Sequence, residues 1–87
     1  MTTYLNEQVV VDTDSAYTYV GTLAEVTERT VRLREVAVYD QREARVHQEK
    51  YLIECAAYGP PVARQETLLE RGRIVAITRL RAIIIPG

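Results

Sequence analysis

Short runs of β-branched and aromatic residues, separated by small clusters of turn formers, dominate the first half of the chain. Val9-Val10-Val11 precedes Asp12-Thr13-Asp14-Ser15, and Asx bonding by the two aspartates is enough to turn the chain there, so a short first strand ends at this point. From Tyr17 to Val26 a longer second strand follows, with Tyr17, Tyr19, Gly21 and Leu23 on one face and Thr18, Val20, Thr22, Ala24 and Val26 on the other. Gly21 removes a side chain from its middle, which predicts a strong bend or the close approach of another backbone. After a tight turn at Thr27-Glu28-Arg29, Val31 and Leu33 alternate with Arg32 and Arg34, and then the apolar phase moves to Val36 and Val38. That phase change predicts a bulge near Arg34-Glu35, which curves the third strand while its apolar side chains stay inward.

The stretch from Asp40 to Gln48 is polar and reads as a loop, whereas Glu49 to Tyr58 holds good helix formers with no breaker until Gly59. Tyr51, Cys55 and Tyr58 fall at i, i+4 and i+7, with Leu52 beside them, and form one apolar stripe; Gly59 stops the helix ahead of Pro60. A short strand from Gln65 to Leu69, a turn at Glu70-Arg71-Gly72-Arg73 and a strand from Ile74 to Thr78 lead to an Arg-flanked apolar tail, Leu80 to Ile85. The pattern predicts a mostly β chain. Its five short strands form a strongly bent antiparallel sheet closing into a small barrel, with a short helix inserted between strands three and four.

At 87 residues the chain supplies one small domain, residues 1–87, and self-association is a natural supplement to so small a core. The 47 % hydrophobic and 26 % charged composition is that of a globular protein and excludes disorder. No apolar run approaches the ~20 residues that cross a bilayer, and Met1 to Gln8 lacks a basic-then-apolar leader pattern, so a cytoplasmic location is expected. One cysteine and one histidine offer neither an internal disulfide nor a zinc-ligand set, and no metal or cofactor is expected. Charge is polarised. Residues 1–28 hold five acids and no base, whereas the remainder holds all 11 basic groups against seven acids. Ten of those bases are arginine, the planar group suited to carboxylate pairs, phosphates and stacking.

Two segments in this order resemble the Sm-like (Lsm) family. Tyr19-Val20-Gly21-Thr22-Leu23, Ala24-Glu25-Val26-Thr27 and Val31-Arg32-Leu33 resemble its first motif, a strand pair with a glycine, an apolar residue two later, and a turn before an alternating strand. Arg71-Gly72-Arg73-Ile74-Val75-Ala76-Ile77 resembles its second, in which Arg-Gly opens a turn and two apolar residues three apart begin the next strand. The resemblance covers roughly half the chain. It implies a homo-oligomeric ring in which the fourth strand of one subunit pairs with the fifth of its neighbour. It also implies single-stranded RNA binding at the pore, where the two turns converge: Arg29 and Thr30 in the first, Arg71, Gly72 and Arg73 in the second. Thr27 and Thr30 stand where the family's turn holds Asp and Asn, and Arg73 where it holds another Asn. Phosphate or stacking contacts are therefore implied in place of base readout. The family's N-terminal helix would fall between Thr2 and Gln8.

Each candidate also has a purely structural reading. Arg29, Arg71 and Arg73 form a cationic ring for phosphates, or else pair with Glu28, Glu70 or a neighbour's acids. Tyr17, Tyr19 and Tyr39 are expected to pack the sheet, with base stacking the alternative. Arg79 and Arg81, alternating with Leu80 and Ala82, read as a solvated edge, with a basic strip on one face of the tail the alternative. His47 and Cys55, eight positions apart with no orienting third group, do not make a catalytic pair, and no enzymatic role is expected. Two functions follow: a ring-forming RNA-binding or RNA-chaperone module, and a non-catalytic assembly ring that takes a protein partner on the helix from Glu49 to Tyr58.

Overall fold

The computed structural model describes residues 2–87. Strands β1 (Gln8–Thr13), β2 (Tyr17–Val26), β3 (Thr30–Asp40), β4 (Arg64–Glu70) and β5 (Ile74–Arg79) form one antiparallel sheet in the order β4-β3-β2-β1-β5, with helix α1 (Gln48–Tyr58) between β3 and β4. Expected boundaries fall within two residues of these. The barrel does not close: β4 and β5 are the two edges of the sheet and no ladder joins them. The sheet nevertheless curls. A single 3-10 turn, Arg71–Arg73, connects its outermost strands, and Leu69 of β4 packs on the same buried cluster as Ile74 and Ile77 of β5.

The curl has a local cause in β2 and β3. Glu35 takes a positive φ of 53° where the β2–β3 register shifts between Val20 and Thr22, so Leu33 and Val36, three residues apart, both point into the inner cluster with Val9, Val11, Leu23 and Val31. The predicted bulge thus sits on Glu35. Opposite it, a Cβ built on Gly21 would lie 3.1 Å from the Arg34 carbonyl oxygen and 3.2 Å from Val36 Cγ2, the close approach for which the glycine was read. A second skip in β2, between Leu23 and Glu25, brings Val26 to the inner cluster; strict alternation had put it on the other face.

Both faces of the central strands are covered. Val10, Val20 and Ala37 form the outer face and pack against Leu52 and Cys55 of α1 and against Leu80, which explains why β1 is an unbroken valine run and not an alternating one. The helical stripe is shorter than its periodicity implied. Leu52 and Cys55 are buried and Tyr51 packs on the Tyr39 ring with centroids 5.0 Å apart, but Tyr58 is 87 % exposed. Ala57 and Tyr58 form the overhanging end of α1, and Gly59 (φ 91°) then turns the chain towards β4. Between Thr2 and Gln8 the N-terminal helix implied by the resemblance is replaced by one 3-10 turn, Thr2–Tyr4, ended by Asn6 at φ 67°. In the β1–β2 turn the bonding hydroxyls belong to Thr13 and Ser15, not to the aspartates: Thr13 Oγ1 donates to the Tyr17 carbonyl at 2.7 Å and Ser15 Oγ accepts from the Tyr17 N–H. Among the described residues no helix is long and apolar enough to cross a membrane.

Candidate nucleic-acid interface

Three turns meet at one pole of the sheet. In the β2–β3 turn, Thr27 N–H donates to the Thr30 carbonyl (2.9 Å), Thr30 N–H donates to Thr27 Oγ1 (2.9 Å), and the two hydroxyls lie 2.7 Å apart. These threonines satisfy one another's polar groups, so Thr30, named as a contact residue, holds the turn in shape. The β4–β5 turn is tied to it twice: Arg71 N–H donates to the Arg29 carbonyl at 2.8 Å, and Arg71 Nη1 donates to the Thr27 carbonyl at 3.0 Å. The β1–β2 turn joins through Asp14, whose N–H donates to the Arg73 carbonyl at 3.0 Å.

All five residues named from the sequence, Arg29, Thr30, Arg71, Gly72 and Arg73, therefore lie on these adjoining turns. Their charges are not equally available. Arg73 Nε lies 2.8 and 2.9 Å from the two Asp14 oxygens, and that hydrogen bond pushes the guanidinium's pKa further up. The acid is Asp14, where the expectation was Glu28, Glu70 or a neighbour's acid. Among the described residues Arg29 and Arg71 have no carboxylate within ion-pair distance. Gly72 has nothing within 4 Å of a Cβ position, so its backbone is bare to an approaching molecule. Asp14, Glu28 and Glu70 match the three arginines in number on these turns, and the pole carries no net charge. Beside it, Thr13, Asp14, Tyr19, Leu69 and Arg73 line a shallow groove of about 180 Å³, below the ~300 Å³ at which small-molecule pockets begin.

Of the remaining candidates, Tyr19 packs on the inner cluster and lines that groove, and the others are engaged elsewhere. Tyr39 is buried and donates its hydroxyl to the Val46 carbonyl at 2.7 Å, while Tyr17 lies under the Arg42 guanidinium and accepts from Arg42 Nη2 at 2.8 Å. Arg42 also donates to Asp40 from its side chain and its backbone, which holds the Asp40 carboxyl below its usual range. Arg81 stays solvated, with its side chain 71 % exposed, but the two guanidiniums are not a free basic strip: both converge on Glu7, at 3.2 and 3.0 Å, and Arg79 lies 4.4 Å above the Tyr4 ring centroid. Arg79 Nε reaches Glu7 as an ion pair without hydrogen-bond alignment. Cys55 is buried on the face of α1 that packs on the sheet, and burial pushes its thiol pKa up, the reverse of what an activated nucleophile needs.

Sequence reasoning missed Asp14 as a partner of Arg73, and Asp12, which accepts from Gln48 Nε2 at 3.0 Å and fastens the start of α1 to β1. No local signal marks either pair, because the partners are 59 and 36 residues apart. No protein-family model and no curated protein matches the chain, and what this pole does has to be judged from its own geometry.

Proposed function

We propose that the chain is a non-catalytic Sm-like subunit of a homo-oligomeric ring, joined by pairing β5 of one copy with β4 of the next. The observation that carries this reading is the pair of bare edges. Among the described residues β4 pairs only with β3 and β5 only with β1, so each presents a row of unpaired N–H and C=O groups. The two strands are seven and six residues long, contain no lysine or proline to discourage pairing, and expose Leu68 (61 %) and Val75 (70 %). β4 runs into the Arg71–Arg73 turn and β5 runs out of it, so the two have opposite senses as seen from the pole. Rotation about a ring axis preserves those senses, which makes the contact between copies antiparallel and leaves a closed ring without edges. Light scattering on the purified protein at micromolar concentration tests it: a multiple of the 9.9 kDa chain mass is expected, and a stable monomer would overturn it.

A second reading, single-stranded RNA binding at the pole, is favoured by Arg29 and Arg71, which form no ion pair among the described residues although the acids of these turns balance their charge, and by the bare backbone at Gly72. A ring would repeat these groups at one depth, and phosphate contacts would release counterions without reading bases. Fluorescence anisotropy with oligoribonucleotides at two ionic strengths should then show steep salt dependence, with Arg29→Ala and Arg71→Ala weakening every sequence alike. Arg73→Ala should matter less, because Asp14 already holds that charge. Undetectable binding at low salt leaves the protein-assembly ring, with α1 (Gln48–Tyr58) as its partner surface.

A further inference from the structure

We propose that residues 84–87 of one copy dock on an apolar shelf formed by residues 58–62 of the next copy; this deepens the ring reading above and rests on its edge pairing. Both segments expose large apolar side chains: Ile84 (85 %) and Tyr58 (87 %) are almost bare, and Ile85 (49 %) and Val62 (48 %) are half covered by their own chain. In antiparallel pairing, the Arg79 end of β5 lies beside the Arg64 end of the neighbour's β4. Chain continuing past β5 therefore runs alongside whatever precedes β4, which is the shelf.

Two details set the kind of contact. Leu80 is buried beneath α1 of its own chain and the Leu80–Ala82 turn follows, so the segment is anchored at its start and free from Ile84 onward. Four extended residues reach about 13 Å, enough to cross from one edge strand to its neighbour's flank. On the shelf, Pro60 and Pro61 have no N–H, and Ala63 N–H is already given to the Val36 carbonyl at 2.9 Å. The ladder between edges cannot continue there. The isoleucines are held by apolar contact with Tyr58 and Val62, and they cover at the subunit junction the side chains that α1's overhang leaves in water.

The test combines two variants. Ile84→Asp with Ile85→Asp should raise the protein concentration at half-dissociation by at least about tenfold, since two buried isoleucines are worth more than one decade of affinity. The circular dichroism of the subunit should be unchanged, as both positions are exposed within the chain. In a Cys55→Ala background, Tyr58→Cys with Ile84→Cys treated with a short bis-maleimide should give chains linked to one another on a denaturing gel. If the protein still scatters as a ring, an unaltered dissociation concentration together with no link, or with links only inside one chain, overturns the docking and leaves the ring. A monomer by light scattering overturns both.

Discussion

Replacing Gly21 with valine tests whether the close approach of β2 to the β3 bulge shapes the sheet. At 3.1 Å from the Arg34 carbonyl oxygen and 3.2 Å from Val36 Cγ2, a Cβ alone is tighter than ordinary van der Waals contact, and both neighbours are held by the ladder to β4 and by the inner cluster. The two methyl groups of valine have no space on that side, so either β3 moves or the side chain leaves its rotamer, at a cost of ~1–3 kcal/mol. An opposing contribution of ~0.4–1 kcal/mol comes from the lower entropy of the unfolded chain once glycine is gone. For Gly21→Ala the two terms are similar and the net change is small; for Gly21→Val strain wins. With a urea slope of about 1 kcal/mol per molar, typical of small domains, the valine midpoint should fall by ~1–2 M. Urea melts followed by circular dichroism check this at one fixed protein concentration, because assembly adds to apparent stability. A valine midpoint and slope equal to the parent's would refute the reasoning.

Three further outcomes follow from other positions. Glu35→Gly should leave stability unchanged or raise it, although glycine inside a strand ordinarily costs ~0.5–1 kcal/mol, because the left-handed backbone at φ 53° disfavours any side chain; a drop in thermal midpoint would count against the bulge. Leu52→Ala should cost ~2–5 kcal/mol by opening a cavity under α1, read from the same urea melts, and a loss under 1 kcal/mol would mean the helix is loosely seated. Cys55 should react slowly with iodoacetamide at pH 8 until urea is added, since burial keeps the thiol protonated. The sign of its pH linkage follows: with the folded pKa above the unfolded value of about 8.5, stability is whole below that pH and declines as pH rises through the folded pKa. Equal labelling rates in native and denatured protein would contradict that placement.

Strand boundaries, the helix, its glycine stop and the bulge at Glu35 were all legible in the chain, because each depends on near neighbours: alternation, turn chemistry and a phase slip between Leu33 and Val36. The site residues were legible only as far as the motif resemblance reached, and their side-chain roles were not. Which acid meets Arg73 depends on three turns converging over 59 residues, and local pattern carries no record of that. Tyr58 fits the helical period of Tyr51 and Cys55, yet burial needs something underneath, and the outer cluster that covers Leu52 and Cys55 does not reach Tyr58. Closure was beyond the pattern for the same reason. Bends and short turns require a sheet to curl, but whether its edges bond to each other or stay apart is set by how far the bulges and the Arg71–Arg73 turn carry β4 and β5, a sum of rotations over the whole chain that here leaves the two edges without a ladder between them.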